Sequence, residues 1–211
     1  MSYYRHDEAL ETIARSIISQ YDPALLTLPS LIPVENIMEK VYGLSLEYQY
    51  IRNNGRILGE TVFVDAMIPI YEFRDSEGYT LIPVKAGTVI IDASLLHKRS
   101  NGRLRFTCAH ELAHWIVDKN YFTQLGETAA MTSKTAATIS RTINRSSESD
   151  AIVERQANRL ASRILMPKCT LKAAFHNVRD TASDVSAYLA GLYGVSKQAM
   201  NIRLNEIGLL H

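Results

Sequence analysis

The chain has 211 residues, a length that suits one domain or one domain with a small appendage. Its composition, with 46% hydrophobic and 21% charged residues, is that of a soluble globular protein and excludes wholesale disorder and fibrous repeats. Twenty-three basic residues nearly balance 22 acidic ones. The net charge of +1 argues against a protein that mainly coats nucleic acid or an anionic membrane, although a local basic patch stays open.

No feature of the sequence indicates secretion or membrane insertion. The two cysteines, Cys108 and Cys169, form neither a CxxC pair nor a disulfide framework. The N-terminal residues are too polar and too acidic for a signal peptide, and no stretch approaches the roughly 18 apolar residues of a membrane span. We therefore expect a cytoplasmic protein.

The first half of the chain is predicted to contain two helices followed by strands. Apolar residues recur at helical spacing over 7–20, and Pro33 suits the first turn of a shorter helix that ends at Gly43. We expect the runs that follow to form one small, mostly antiparallel sheet. These short β-rich runs, with glycines between or beside them, are 44–50, 61–64, 68–73, 79–84 and 88–91.

The second half of the chain is predicted to be helical. Two strong helices are expected at about 103–119 and 148–166, with two or three more after Pro167. Between the two strong helices, the Ser/Thr-rich stretch at about 121–147 is expected to be a mobile insertion. The complete pattern predicts an α+β fold in which helices pack on one sheet.

The helix at 103–119 carries the motif H-E-x-x-H, in which His110 and His114 enclose Glu111. Histidines at positions i and i+4 share one helix face, so both can direct an imidazole nitrogen to one Zn²⁺. Glu111 can then hold a water at the open coordination position. The helix is apolar nearly all round, which predicts burial, and buried ionisable groups need partners that a metal and its water would supply. The alternative is that the histidines are satisfied core residues and Glu111 forms an ion pair.

A catalytic zinc site needs a third protein ligand, and Glu154 is the preferred residue. It lies inside the apolar arc of the helix at 148–166, where a carboxylate needs a positive partner. Asn158, one turn further on, could hydrogen-bond a ligand from outside the coordination sphere. Three other residues stay open as the third ligand: Asp150, His97 and His176.

These motifs resemble the ImmA/IrrE family of metallopeptidases. Residues 105–114 read Arg-Phe-Thr-Cys-Ala-His-Glu-Leu-Ala-His, similar to the family pattern R-F-T-x-A-H-E-x-x-H. Residues 154–167 resemble the pattern E-x-x-A-N-x-F-A-x-x-L-L-M-P, except that Leu160 replaces the usual phenylalanine. The resemblance extends from about 30 to 210, and the gap between the two motifs is longer than the family leads us to expect.

The resemblance implies a zincin-like metallopeptidase core that hydrolyses peptide bonds. By this resemblance His110, His114 and Glu154 bind zinc, with manganese as an alternative, and Glu111 is the catalytic glutamate. It also implies a regulatory role, in which the protein substrate is a helix-turn-helix transcriptional repressor whose removal relieves repression. The donor that stabilises the oxyanion stays open among three residues: Tyr121, His97 and His176.

We expect a metallopeptidase-like domain at 1–180 and a C-terminal helical segment at 181–211 that resembles a helix-turn-helix. The second helix of that segment carries only two cations, Lys197 and Arg203, which are few for a surface that binds phosphates. Packing onto the catalytic core is favoured because Met200, Leu204 and Ile207 repeat at helical spacing. Two other functions stay open: a metal-binding module that sequesters a partner without cleaving it, and a DNA-binding regulator.

Overall fold

The computed structural model describes residues 5–51, 57–73, 78–96, 102–119 and 148–210. In these ranges the elements follow the order that the sequence predicts, and no helix there is long and apolar enough to cross a bilayer. The helices are α1 (Asp7–Tyr21), α2 (Val34–Tyr42), α3 (Gly102–Val117), α4 (Glu148–Leu165), α5 (Lys168–Val178), α6 (Val185–Tyr193) and α7 (Lys197–Glu206), with short 3₁₀ turns at Pro23–Leu26 and Ala93–Leu95. The strands are β1 (Ser45–Gln49), β2 (Gly59–Thr61), β3 (Ala66–Tyr71), β4 (Tyr79–Val84) and β5 (Thr88–Asp92).

The described strands form two small sheets, where the sequence predicts one. The first has the order β1-β5-β2, with β1 parallel and β2 antiparallel to β5. The second is an antiparallel ribbon of β3 and β4, and a single bridge from Tyr50 to Tyr71 links it to the chain leaving β1. The predicted α+β class and the mostly antiparallel pairing are confirmed.

The central strand β5 explains why the strands divide in this way. All five of its residues are buried, and successive side chains point to opposite faces of the sheet. Val89 and Ile91 enter the main core with the helices, whereas Ile90 enters a smaller core with Ile68 and Val84 of the ribbon. The ribbon therefore covers the second face of the sheet instead of extending its edge.

One hydrophobic core joins the helices on the other face of the sheet. It includes residues from α1 to α7, among them Leu10, Leu112 and Leu160. The C-terminal helices contribute Met200 and Leu204 to this same core, as their spacing predicts. The described part of the C-terminal segment, 181–210, is therefore packed directly against the elements that precede it.

A buried ion cluster also joins α1, α4 and α7. Arg163 of α4 is 2% exposed and lies 2.7 Å from Asp7 and 3.5 Å from Glu11 of α1. Arg203 of α7 has no solvent exposure and pairs with Glu11 and with Glu206. Arg203, one of the two cations on α7, is therefore not available to phosphates, because its charge is buried against carboxylates.

Candidate metal centre

The site is built on α3 and α4, which pack directly against each other. Most of α3 is buried, as its apolar sequence predicts. Arg105 fixes the start of this helix, since its guanidinium donates to the carbonyls of Gly194 at 3.2 Å and Ile32 at 2.6 Å. Gly102 allows close packing there, because a Cβ would lie 3.1 Å from the backbone nitrogen of Ser196. The position of α3 is thus tied to the turn between α6 and α7.

His110, His114 and Glu154 bring three donor atoms within 4.8 Å of one another, a group that could hold a metal ion. The two Nε2 atoms are 3.0 Å apart, and each lies 3.5 Å from an oxygen of Glu154. Tetrahedral ligands bound to zinc at about 2.0–2.1 Å lie about 3.3–3.4 Å from one another. The spacing and the donor set of two imidazoles and one carboxylate therefore fit zinc.

Each imidazole is oriented by a hydrogen bond from its other ring nitrogen. His110 Nδ1 donates to Asn158 Oδ1 at 3.1 Å, and His114 Nδ1 donates to Asp118 Oδ2 at 3.1 Å. In a neutral imidazole this leaves the lone pair on Nε2, so both lone pairs face the carboxylate of Glu154. Three acceptors that converge in this way need a cation between them.

The charges of these groups favour a cation between the three side chains. Burial opposes the charged form of His114, but hydrogen bonds to Asp118 and Glu154 outweigh it and raise the pKa of His114 to about 10. Hydrogen bonds from His110 and His114 hold the pKa of Glu154 well below its usual range. The carboxylate is therefore ionised at neutral pH, and the centre attracts a proton or a metal ion.

Glu111 lies where α3 meets β2. Glu111 is 6% exposed, and the hydroxyl of Thr61 donates to its Oε2 at 2.7 Å. A Cβ built on Gly59 would lie 2.5 Å from its Oε1, so the strand passes directly against the carboxylate. The chain of β2 also contacts α3 one helical turn before and one helical turn after Glu111. Thr107 lies beside Gly59, and just beyond β2 the ring of Phe63 stacks on Trp115 at 5.8 Å.

Sequence reasoning missed three residues that contact the motif. Asp118 had a local signal, because it lies four residues after His114 and therefore on the same helix face. Thr61 and Gly59 had none, since no pattern in a single sequence shows which strand crosses which helix.

One of the other residues considered from the sequence, His176, is not part of this group. His176 is exposed on α5, and the cluster found in the described part of the chain does not include it. His97, Tyr121, the side chain of Asp150 and the insertion at about 121–147 lie outside the described residues.

Comparison with known proteins finds a matching family model and solved structures of similar fold. A family model for the IrrE N-terminal-like domain, peptidase M78, matches residues 95–205, a range that contains α3 and α4. A solved structure of a Mycobacterium tuberculosis transcriptional regulator is similar with a TM-score of 0.51 and 15% identity, covering 96% of this chain and 47% of that one. The chain thus spans about half the length of that protein, and the likeness shows the fold alone. No curated protein sequence matches the chain.

Proposed function

The chain belongs to the IrrE N-terminal-like family of M78 peptidases, and on this premise we propose that it is a zinc-dependent endopeptidase. One observation carries the proposal: the donor atoms of His110, His114 and Glu154 lie within 4.8 Å of one another. Two imidazoles and a carboxylate are a catalytic zinc set, in which the fourth position is left for water or substrate. Manganese is the alternative metal, because imidazole and carboxylate ligands also accept it.

In the proposed mechanism these three residues hold the metal, while Asn158 and Asp118 keep the two imidazoles in the orientation that directs Nε2 inward. When bound, zinc supplies Lewis acidity, which polarises a carbonyl group and makes water more acidic. The ligand Glu154 is about one-third exposed, so the centre is accessible from solvent on that side.

Glu111 is the proposed general base. Its carboxylate takes the proton from the attacking water and then gives it to the leaving amine, which restores the ionised side chain for the next cycle. The low exposure of Glu111 limits competing hydration of that carboxylate.

We propose that the substrate lies along the edge of β2. In the described part of the sheet β2 pairs with β5 on one side only. The carbonyl of Leu58 accepts from the amide of Asp92, and the amide of Val62 donates to the carbonyl of Thr88. Because Leu58 and Val62 face β5, the alternate residues Gly59 and Thr61 direct their backbone groups to the other side. An extended peptide can pair with such an edge, and here it would pass beside Glu111.

We further propose that the substrate is a helix-turn-helix repressor in the cytoplasm, whose cleavage relieves repression. The support is the resemblance of residues 105–114 and 154–167 to the ImmA/IrrE pattern. Direct DNA binding by α7 is disfavoured, because Arg203 is buried and Lys197 pairs with Asp184.

The variant Glu111→Gln tests the proposed peptidase. It should leave the bound metal in place and abolish cleavage, because the amide cannot accept the proton. New protein N-termini are compared between cells that express the wild type, Glu111→Gln, and the matched control Glu8→Gln on the exposed face of α1. We expect a cut repressor with the wild type and the control only.

Two results would contradict this proposal. If Glu111→Gln relieves repression as well as the wild type at equal metal content, the protein acts by sequestering its partner. If the gently purified wild type contains no metal and binds no added zinc, the metal centre itself is refuted.

A further inference from the structure

We infer that Thr61 is a positioning residue for Glu111, and that Gly59 is the position that leaves room for the carboxylate. The inference rests on the proposed function, because it assigns both residues a role toward the proposed general base. Besides pairing with the substrate, β2 then has a second role, because Gly59 and Thr61 face α3 and hold Glu111 in place.

The hydroxyl of Thr61 selects one orientation of the Glu111 side chain. Its Oγ1 lies 2.7 Å from Oε2 of Glu111 and 3.2 Å from the backbone oxygen of the same residue. One hydroxyl has one proton, and the closer, ionised acceptor takes it. Glutamate has three rotatable side-chain bonds, whereas threonine is stiff at χ1, so the strand restrains the more mobile partner.

Gly59 confines the other carboxylate oxygen. A Cβ at this position would lie 2.5 Å from Oε1 and 2.8 Å from Cγ of Glu111, and 2.8 Å from Cγ2 of Thr107. Thr107 is itself buried on α3 and cannot move away easily. Any side chain at 59 would therefore displace the carboxylate.

These contacts involve the base and not the proposed metal ligands. The hydrogen bonds that orient His110 and His114 are accepted by Asn158 on α4 and by Asp118, the residue after α3. A change at Thr61 should therefore disturb the base while the metal stays bound, which separates positioning from general damage to the site.

A double-mutant cycle tests the contact without substrate or metal. The full-length wild type, Thr61→Val, Glu111→Met and the double variant are unfolded with urea in excess chelator. We expect a coupling of about tenfold in the unfolding equilibrium constant, the size of a hydrogen bond to a charged group. A coupling below about threefold is close to additivity and would overturn the inference. Thr80→Val, at an exposed strand position of β4, is the matched control and should show no coupling to Glu111.

Rescue and kinetics test the positioning role. On the repressor cleaved by the wild type, Thr61→Val should lower kcat about tenfold or more, with KM and zinc content within twofold of the wild type. Thr61→Ser should restore kcat, because serine keeps the hydroxyl. Gly59→Ala should also lower kcat, whereas Gly78→Ala should not, since a Cβ at 78 meets no atom within 4 Å.

The results separate this inference from the proposed function. Equal loss of kcat in Thr61→Ser and Thr61→Val, or a change confined to KM, would overturn the positioning role. If the wild type cleaves no substrate, the proposed function fails, and the double-mutant cycle alone then decides whether Thr61 holds Glu111.

Discussion

Replacing Arg203 with methionine should destabilise the fold by about 2–3 kcal/mol, because it removes the centre of a buried ion cluster. The guanidinium of Arg203 has no solvent exposure and pairs with Glu11 of α1 and, at 3.3 Å, with Glu206 of α7. Its Nε also donates to the carbonyl of Met166 at 3.2 Å, just after α4. One side chain thus connects the first helix, the end of α4 and the last helix.

The size of the expected loss of stability depends on the charged groups that remain after Arg203 is replaced. Removing one member of a buried ion pair typically costs about 3–5 kcal/mol, because the other charge stays desolvated. Here Arg163 lies 3.5 Å from both Glu11 and Glu206 and keeps part of the attraction. Burial and the neighbouring charge of Arg203 lower the pKa of Arg163, so losing that charge also relieves repulsion. These offsets reduce the loss to about 2–3 kcal/mol, or roughly 5–10 °C in Tm for a chain of this length.

Urea unfolding monitored by the fluorescence of Trp115, the single tryptophan, measures this loss. Lys197→Met on the same helix is the matched control, because its pair with Asp184 is exposed and should contribute nothing resolvable. Equal midpoints for the two variants would refute the argument that the buried cluster anchors α7.

Three further predictions concern the metal centre and the glycine turns. Zinc at 100 times its Kd should stabilise the protein by about 2.7 kcal/mol. Scanning fluorimetry should show this gain in stability. If zinc stabilises Glu154→Gln by the same amount, Glu154 is not a ligand. Asp118→Asn should weaken zinc binding about 10- to 100-fold in competition with a chromophoric chelator, because one imidazole loses its orienting carboxylate; unchanged affinity would contradict this. Gly194→Ala should cost more stability in urea than Gly43→Ala. Both residues have φ of 63°, but only the Cβ at 194 would meet other atoms, 3.1 Å from Nε of the buried Arg105 and 2.7 Å from Leu31 Cδ1. Equal costs would exclude the steric effect.

The sequence by itself determined the elements and the proximity of the two motif histidines. Hydrophobic periodicity predicted the helices and strands because it reports which side of each element is buried. Gly43 marked a helix end, and it adopts the left-handed conformation that glycine favours. The i, i+4 spacing of His110 and His114 was sufficient to place their rings together, because helix geometry is local.

Only the tertiary structure decided which strand crosses the motif, which charged residues are buried and how the strands divide. Arg163 and Arg203 are buried although arginine is usually exposed, because carboxylates of α1 and α7 come together around them. Thr61 reaches Glu111 across 50 positions of sequence, and the strands divide over two sheets because β5 is buried on both faces. These outcomes depend on contacts between elements far apart in the chain, and the periodicity of a single element contains no information about its neighbours.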